Sequence, residues 1–413
     1  MTTAKRVEKL VIKKGHKYYN MLDNFCFMSK NLYNQANFYI RQEFIKNKKW
    51  IRHEELDKIL KKIEDYPDYR NMPTAQSAQQ TLKLLDKNWK SFFKAIKEYG
   101  KHPEKFSGRP KLPKYKKKNG REVLTLTNQE VKLKSDGVLY FPKVFQGFII
   151  SPKFTTREDF LAFKMVRMLP RRNKIIIEMV FDIEIEENFE KSNRVIGIDL
   201  GVNNLATVAN NFGGQAFIIN GKPLKSINYY YNKNKAYYQG ILKQNQDSWW
   251  SNRLQRLTDK RNNKINDYIH KATAKIIQFC ITNNVSTIII GYNKGWKKEA
   301  KLGEGKEKTK NNQNFCSIPH LKFVENLEYK AEQFGIKTIR HSESYTSGTS
   351  FLDDEEPIKK NYDKSRRVSR GMFVSNKGVQ INADLNAAYQ IIKKVIPIKW
   401  DKGCMFHPIV VEV

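Results

Sequence analysis

Apolar and charged positions interleave over residues 4–18, AKRVEKLVIKKGHKY, and predict a first strand with a basic, solvated face. Residues 20–65 change to helical spacing, including the run LDKILKKIEDY. A second helix is predicted after Pro73, because Ala75, Ala78, Leu82, Leu85, Trp89, Phe92, Phe93 and Ile96 recur at three and four and Gly100 follows them. Its opposite face is rich in Gln and Lys. Between 101 and 120 the chain reads KHPEKFSGRPKLPKYKKKNG, a Pro- and Gly-containing basic run expected to be an exposed linker. Strand alternation returns over 121–187 in VLTLTNQEVKLKSDGVLYFP, FIISPKF and KIIIEMVFDIEIE. These segments predict a small antiparallel barrel or sheet, completed by the N-terminal strand.

The pattern changes again at Lys191. VIGIDL, LATVAN and QAFIIN predict a three-strand meander, and residues 222–284 form a long, basic, helical region. The strand STIIIGY follows, then a basic loop at 294–314, the helix IPHLKFVENLEYKAEQFG, the strand IKTIRHSESYTS and a last helix, ADLNAAYQIIKKVI. Three meander strands followed by helix, strand, helix, strand and helix is the order of an RNase H-like α/β domain. The expected fold is therefore multidomain α+β, in three regions: a β-barrel from 1–19 plus 120–190, an inserted helical region with its basic linker at 20–119, and an α/β domain at 191–413.

Charge narrows the function. The 413 residues hold 76 Lys+Arg against 42 Asp+Glu, a formal balance of +34, and a polyphosphate is the usual partner for such a surplus. Hydrophobic residues make up 40%, enough for packed cores and against disorder throughout. No run approaches the length of a membrane span, and the first twenty residues lack a signal peptide's apolar segment. The expectation is a cytoplasmic, nucleoid-associated protein without a membrane partner. The four cysteines, Cys26, Cys280, Cys316 and Cys404, fit neither a zinc ribbon nor a disulfide framework and read as reduced thiols.

Against that basic background a few acids stand out. Asp199 ends the apolar strand of VIGIDLGVNN, where burial is costly unless the carboxylate is paired or holds a metal. Gly197 and Gly201 flank it and permit close approach of a phosphate or a neighbouring strand. Asp384 lies in the first turn of the last helix and reads equally as an N-cap or dipole partner. Glu343 follows the apolar part of its strand and reads alone as an exposed strand-end residue. The run DDEE at 353–356, beside two lysines, reads as a solvated loop. Two-metal phosphodiester cleavage needs such carboxylates to converge on ions about 4 Å apart.

GIDLGVNNLATV resembles the first RuvC motif of TnpB, the RNA-guided nuclease of bacterial insertion sequences. SYTS, SRGMF and INADLNAAYQII resemble that family's C-terminal motifs, and PKLPKYKKK with AQSAQQTLKLLDKNWKSFF resembles its N-terminal half. Type V CRISPR effectors share the architecture. The resemblance implies a wedge domain with an inserted recognition domain, a RuvC nuclease domain, and Asp199 and Asp384 as ligands of two Mg²⁺. Two departures are visible. Where the family carries a Glu after the strand of its second RuvC motif, STIIIGYNKGWKKEA places Gly291, and Glu299 lies eight residues later. Because strands 286–292 and 337–345 should be neighbours, Glu343 is expected to complete the set with Asp199 and Asp384, with Glu299 as the alternative. The family's zinc ribbon is also missing, since TSGTSFLDDEEPIKKNYDKSRRVSRGMFVSNKG holds no cysteine, so no zinc is expected.

By the same resemblance, Arg370 stands at the family's arginine before the last motif and reads either as a contact to the scissile phosphate or as a surface residue. Arg366 and Arg367 read as phosphate-backbone binders. Gln76, Gln79, Gln80 and Lys83 can present amide forks and an ammonium to base edges. With Thr125, Thr127 and Asn128, they fall where the family reads a short flanking duplex. Lys111, Lys114, Tyr115 and Lys116 suit a phosphate track with one stacking ring. YYYNKNKAYYQG is a second candidate contact, whose tyrosines could equally be core, and His270 reads as structural. The expected activity is Mg²⁺-dependent, RNA-guided cutting of double-stranded target DNA by one chain on one guide RNA, derived from a transposon end or CRISPR-like. A nuclease-inactive RNA-guided repressor and a compact type V effector are the alternatives, and a strand-transferring transposase is a more distant one.

Overall fold

The computed structural model describes residues 3–185, 192–246, 249–293, 295, 310–369, 371–398 and 406–413. The chain divides between Glu184 and Ile185 into two compact units.

The first unit runs β1 (Thr3–Lys13), α1 (Tyr19–Asn47), α2 (His53–Leu60), α3 (Ala75–Lys101), β2 (Leu124–Thr127), β3 (Lys132–Leu133), β4 (Leu139–Tyr140), β5 (Ile149–Ile150), β6 (Phe160–Arg171) and β7 (Lys174–Glu184). The N-terminal strand does complete the sheet: β1 pairs antiparallel with β7 from Thr3 opposite Glu184 to Lys13 opposite Lys174. The expected barrel is corrected, however. Among the described residues the strands form a four-stranded sheet, β1-β7-β6-β2, and a separate three-stranded sheet, β3-β4-β5, with no closed ring. The strands of the smaller sheet are two residues long, too short to bridge the edges of the larger one.

Helix α3 starts on a capping box, in which Thr74 accepts from the Ser77 amide and the Ser77 hydroxyl is bonded by the Thr74 amide. Its apolar stripe, Leu82, Leu85 and Trp89, shares one core with Leu22, Leu32 and Tyr33 of α1 and with Val166, Ile177 and Phe181 of the sheet. Residues 20–119 thus fold with the strands of 1–19 and 120–190. The basic linker is strapped down as well. Asn37 donates to the Pro113 carbonyl at 3.0 Å, and Asn34 grips Lys116 from both sides, donating to its carbonyl at 3.0 Å and accepting from its amide at 2.7 Å.

The second unit runs β8 (Val195–Leu200), β9 (Asn204–Asn210), β10 (Phe217–Asn220), α4 (Lys222–Gln246), α5 (Asn252–Thr282), β11 (Thr287–Gly291), α6 (Lys310–Ser317), α7 (His320–Gln333), β12 (Lys337–His341), β13 (Met372–Val374), β14 (Gln380–Asn382), α8 (Ala383–Lys393) and β15 (Ile409–Val411). Its sheet has the order β12-β11-β8-β9-β10-β15. β8, β9 and β10 form the antiparallel meander, while β11 and β12 add parallel to β8 on its other side.

Both faces of the sheet are covered, which explains the near-continuous apolar runs VIGI and TIII. Ile196, Ile198, Ile288 and Ile290 pack with α5 and α7, through Ile269, Ile276, Phe323 and Leu327. Val195 and Ile289 face the other way, against Leu385, Ala388 and Ile392 of α8. Gly197 is required there, since a Cβ would lie 2.4 Å from the Ala388 carbonyl oxygen. Cys26 and Cys280 are buried and Cys316 partly so, while Cys404 lies outside the described residues. Among the described residues no helix is long and apolar enough to cross a membrane.

Candidate active site

β8, β11 and β12 are mutually parallel, so their C-terminal ends open on one edge of the sheet. That edge, beside the strand where the order turns back, is where open α/β sheets place their ligands. Alternation along β8 puts Asp199 on the same face as Val195 and Gly197, toward α8. Asp384 stands in the first turn of α8 but is not its cap. Asn382 takes that task, accepting from the Asp384 amide at 3.1 Å and the Leu385 amide at 3.0 Å. The Asp384 carboxylate instead accepts from Asn204 Nδ2 at 2.7 Å and Arg367 Nη2 at 3.3 Å.

Glu343 lies two residues past β12. It is not a solvated strand end: its Oε2 is buried without a hydrogen-bond partner. Asn293 donates to its Oε1 at 3.3 Å and accepts from its amide at 3.3 Å. The geometry at Gly291 shows why no glutamate stands there. Gly291 pairs with His341 across β11 and β12, and a Cβ on it would fall 2.5 Å from Ile391 Cδ1 and 3.3 Å from the Cβ of Glu343. The two side chains would start in the same space.

Asp199 feels the other two carboxylates. Burial pushes the Asp199 carboxyl well above its ordinary range, Asp384 and then Glu343 push it further, and Arg367 opposes them. Burial alone carries Glu343 up to about 7 against the pull of Lys394. Lys394 also fixes the turn, donating to the Ser342 carbonyl at 3.0 Å and the Ser344 carbonyl at 2.6 Å. Three acids recessed together with so little positive charge call for cations. They do not form a ready-made cage: among the described residues no three His, Cys, Asp or Glu side chains are gathered tightly enough to hold one ion.

Sequence reasoning missed Asn204, Asn293 and Lys394, which hold the acids, and Thr207, the cross-strand partner of Asp199, whose hydroxyl is buried without a partner. Asn204 and Thr207 stand within GIDLGVNNLATV and Asn293 within STIIIGYNKGWKKEA, where nothing singles them out, and Lys394 lies outside the motifs.

Other expected site residues fall elsewhere. Arg366 is not a phosphate binder on the surface. Its side chain is 13% exposed and pairs bidentately with Glu355 at 2.9 Å for both nitrogens, with Asp353 at 3.8 Å. The DDEE run is solvated only in part: Asp354 and Glu356 are exposed, whereas Asp353 accepts from the Asn376 amide at 2.7 Å, and Lys393 bonds Asp354 at 2.5 Å. Arg367 turns inward to Asp384. Arg370 and Glu299 lie outside the described residues.

In the first unit, Gln76 and Thr127 meet, the Thr127 hydroxyl donating to Gln76 Oε1 at 2.6 Å while the Gln76 amide donates to Gln129. Gln79 hydrogen-bonds Tyr69, Gln80 is half-buried, and Lys83 and Asn128 are exposed. Thr125 sits in β2 opposite Arg167. Lys111, Lys114 and Tyr115 are exposed, and the Tyr115 ring lies 4.9 Å from the Arg41 guanidinium. Lys116 is occupied by the buried Glu122.

Residues 178–297 match the family described as OrfB_IS605, probable transposase, and residues 320–391 match the Cas12f1-like TNB domain. TnpB-like protein ORF457 of Acidianus two-tailed virus is 22% identical over 415 residues, covering 90% of this chain and 82% of its own. The solved Cas12f1-sgRNA-target DNA complex aligns with a TM-score of 0.56 at 16% identity, covering 90% of this chain and 82% of the other. The two family matches cover the β8–β11 half of the site and the segment from α7 to α8, the parts that carry the three carboxylates. Over these stretches the chain is similar to the OrfB_IS605 and Cas12f1-like families and to a TnpB-like protein, and its fold is similar to that of the solved Cas12f1.

Proposed function

We propose that this protein is an RNA-guided DNA endonuclease whose second unit is an RNase H-like, RuvC-type domain that uses two Mg²⁺. The observation that carries the reading is the convergence of Asp199, Asp384 and Glu343 on one edge of the sheet, close enough for the first to be raised by the other two. The strand order supports the RNase H-like part of the reading.

Asp199, Glu343 and Asp384 would hold the metals, which supply activation of water and charge stabilisation at the leaving oxygen. The chain's own groups prepare that chemistry. Asn204 and Arg367 aim the Asp384 oxygens, Asn293 and Lys394 fix Glu343, and close packing of α8 keeps the acids dry on one side. Arg370 would contact the scissile phosphate. The first unit would grip guide RNA and the flanking duplex through Lys83, Asn128, Lys111, Lys114 and Tyr115, with pairing between guide and target supplying most specificity. The protein would act in the cytoplasm, one chain per guide.

The test is to express the chain with its native flanking DNA, sequence the RNA that copurifies and assay cutting of matched DNA with Mg²⁺. A discrete bound RNA and guide-dependent cutting are expected. No discrete RNA overturns the guided reading, and guide-dependent binding without cutting makes the protein a repressor.

A further inference from the structure

Helix α4 carries five lysines and five tyrosines and no acid at all. The structure decides which rings are core. The Tyr231 hydroxyl meets Thr258 of α5 at 3.1 Å and its ring lies 5.5 Å from the Arg261 guanidinium, and Tyr238 lies 4.4 Å from that of Arg253. Tyr230 and Tyr237 turn outward, at 62% and 64% exposure. Between α4 and α5 a groove of about 380 Å³ opens, with Ile227 and Leu257 beside Tyr230 and Tyr231, and with Lys260 and Lys264 along it. Arg261 belongs to the wall, its Nε donating to Asn228 at 2.8 Å and its Nη2 to the Ser317 carbonyl at 2.9 Å.

An apolar cleft with an exposed ring and lysines at its rim fits a flat base joined to a phosphate. Bases of a duplex are stacked inside and cannot reach such a ring, so the occupant is a single strand. The place of the groove says which one. One turn before Tyr230, the Lys225 ammonium bonds Asn203 at 2.7 Å, and Asn203 lies in the turn that leaves Asp199 along the chain. The Gly221 amide bonds the same residue's carbonyl at 2.6 Å. The start of α4, which borders the groove, is thus tied to the loop that leaves the carboxylate edge of the sheet.

We propose that the α4–α5 groove binds the single DNA strand being fed to the carboxylates, with a base stacked on Tyr230 and phosphates on Lys260 and Lys264. The choice of DNA rests on the nuclease reading above; the single-strand site does not.

The test uses the full chain carrying Asp199→Ala, in EDTA, so that binding is read without cutting. Labelled oligothymidine and oligouridine are titrated by fluorescence anisotropy. Tyr230→Ala is expected to weaken thymidine binding roughly tenfold, while Tyr230→Phe keeps it. Lys260→Ala with Lys264→Ala should lower the slope of log affinity against log salt by roughly 0.7 per lysine. Unchanged binding in Tyr230→Ala overturns the site. An equal loss for oligouridine overturns the DNA strand as its occupant. Thermal melting guards against misfolding, and if Tyr230→Ala melts early, the lysine pair alone decides the matter by the same slope. Should Asp199→Ala still cut while Tyr230→Ala weakens thymidine binding, the nuclease site falls and the groove stands.

Discussion

The second unit holds two groups of acids, and they differ in how much positive charge each receives. Asp353 and Glu355 share the buried Arg366 in a bidentate pair, and Lys393 ties down Asp354. Asp199, Glu343 and Asp384 have Arg367 on one carboxylate and Lys394 near another, and two of the three are pushed upward in pKa. The first arrangement neutralises its charge within the fold. The second leaves charge for something outside the chain to neutralise. The lesson is that an acid's count of neighbours says little, while its supply of cations separates a structural knot from a candidate metal site. The knot also lies in the cysteine-free segment where the family resemblance leads one to look for zinc, and there the side chains of Asp353, Glu355 and Arg366 tie it to Asn376.

The comparison breaks most sharply on cutting. Asp199→Ala, Asp384→Ala or Glu343→Gln should each lower guide-dependent cleavage by about a thousandfold or more, from the loss of several kcal/mol of metal-borne stabilisation. Glu355→Gln should not act on the cleavage step in this way. If Glu343→Gln cuts at the parent rate, Glu343 is not a ligand.

Folding gives the opposite ranking. Glu355→Ala removes the bidentate partner of Arg366, leaving Asp353 and Asp363 at 3.8 Å, and should cost about 1–3 kcal/mol in denaturant unfolding. Replacing both by Met should cost much less. Glu343→Gln, which removes an unpaired charge, should not destabilise the metal-free protein at neutral pH.

A pH series separates the two groups further. The Glu343 carboxyl stands at about 7 in the fold against an ordinary value of 4.5, so the folded form binds the extra proton between those values. The contribution of Glu343 to metal-free stability is then greatest below pH ~4.5 and falls by up to about 3 kcal/mol as pH rises through 7. Glu343→Gln should flatten that slope. Mg²⁺ should flatten it as well, by favouring the ionised form.

The smallest effect belongs to the residues that aim the acids. Asn204→Ala removes the 2.7 Å bond to Asp384 and should weaken Mg²⁺ activation by roughly 10–100-fold, seen as a shift in the metal concentration needed for half-maximal cutting. A loss independent of Mg²⁺ concentration would assign Asn204 to substrate instead.

Much of this was legible in the linear pattern. The period of two in β1 and in β7 marked strands that do pair, and the meander followed by two parallel strands appeared in the expected order. Asp199 was visible because a carboxylate ending an apolar strand needs a reason. Other features were not legible, because they depend on which distant residues share a space. Arg366 and Arg367 are sequence neighbours of like chemistry, yet one closes the acidic knot and the other reaches Asp384. The barrel was overread because alternation predicts strands but not whether their outer edges meet.

The sequence by itself determined the element types, the polyanion-seeking charge and the candidacy of Asp199 and Asp384, since periodicity, net charge and the cost of a buried acid are local or additive. Only the tertiary structure decided that Glu343 fills the space beside Gly291, that the DDEE run is a neutralised knot and that Tyr230 faces solvent while Tyr231 does not. Those outcomes turn on packing and on the local supply of positive charge, which fall off over a few ångströms and relate residues far apart in the chain.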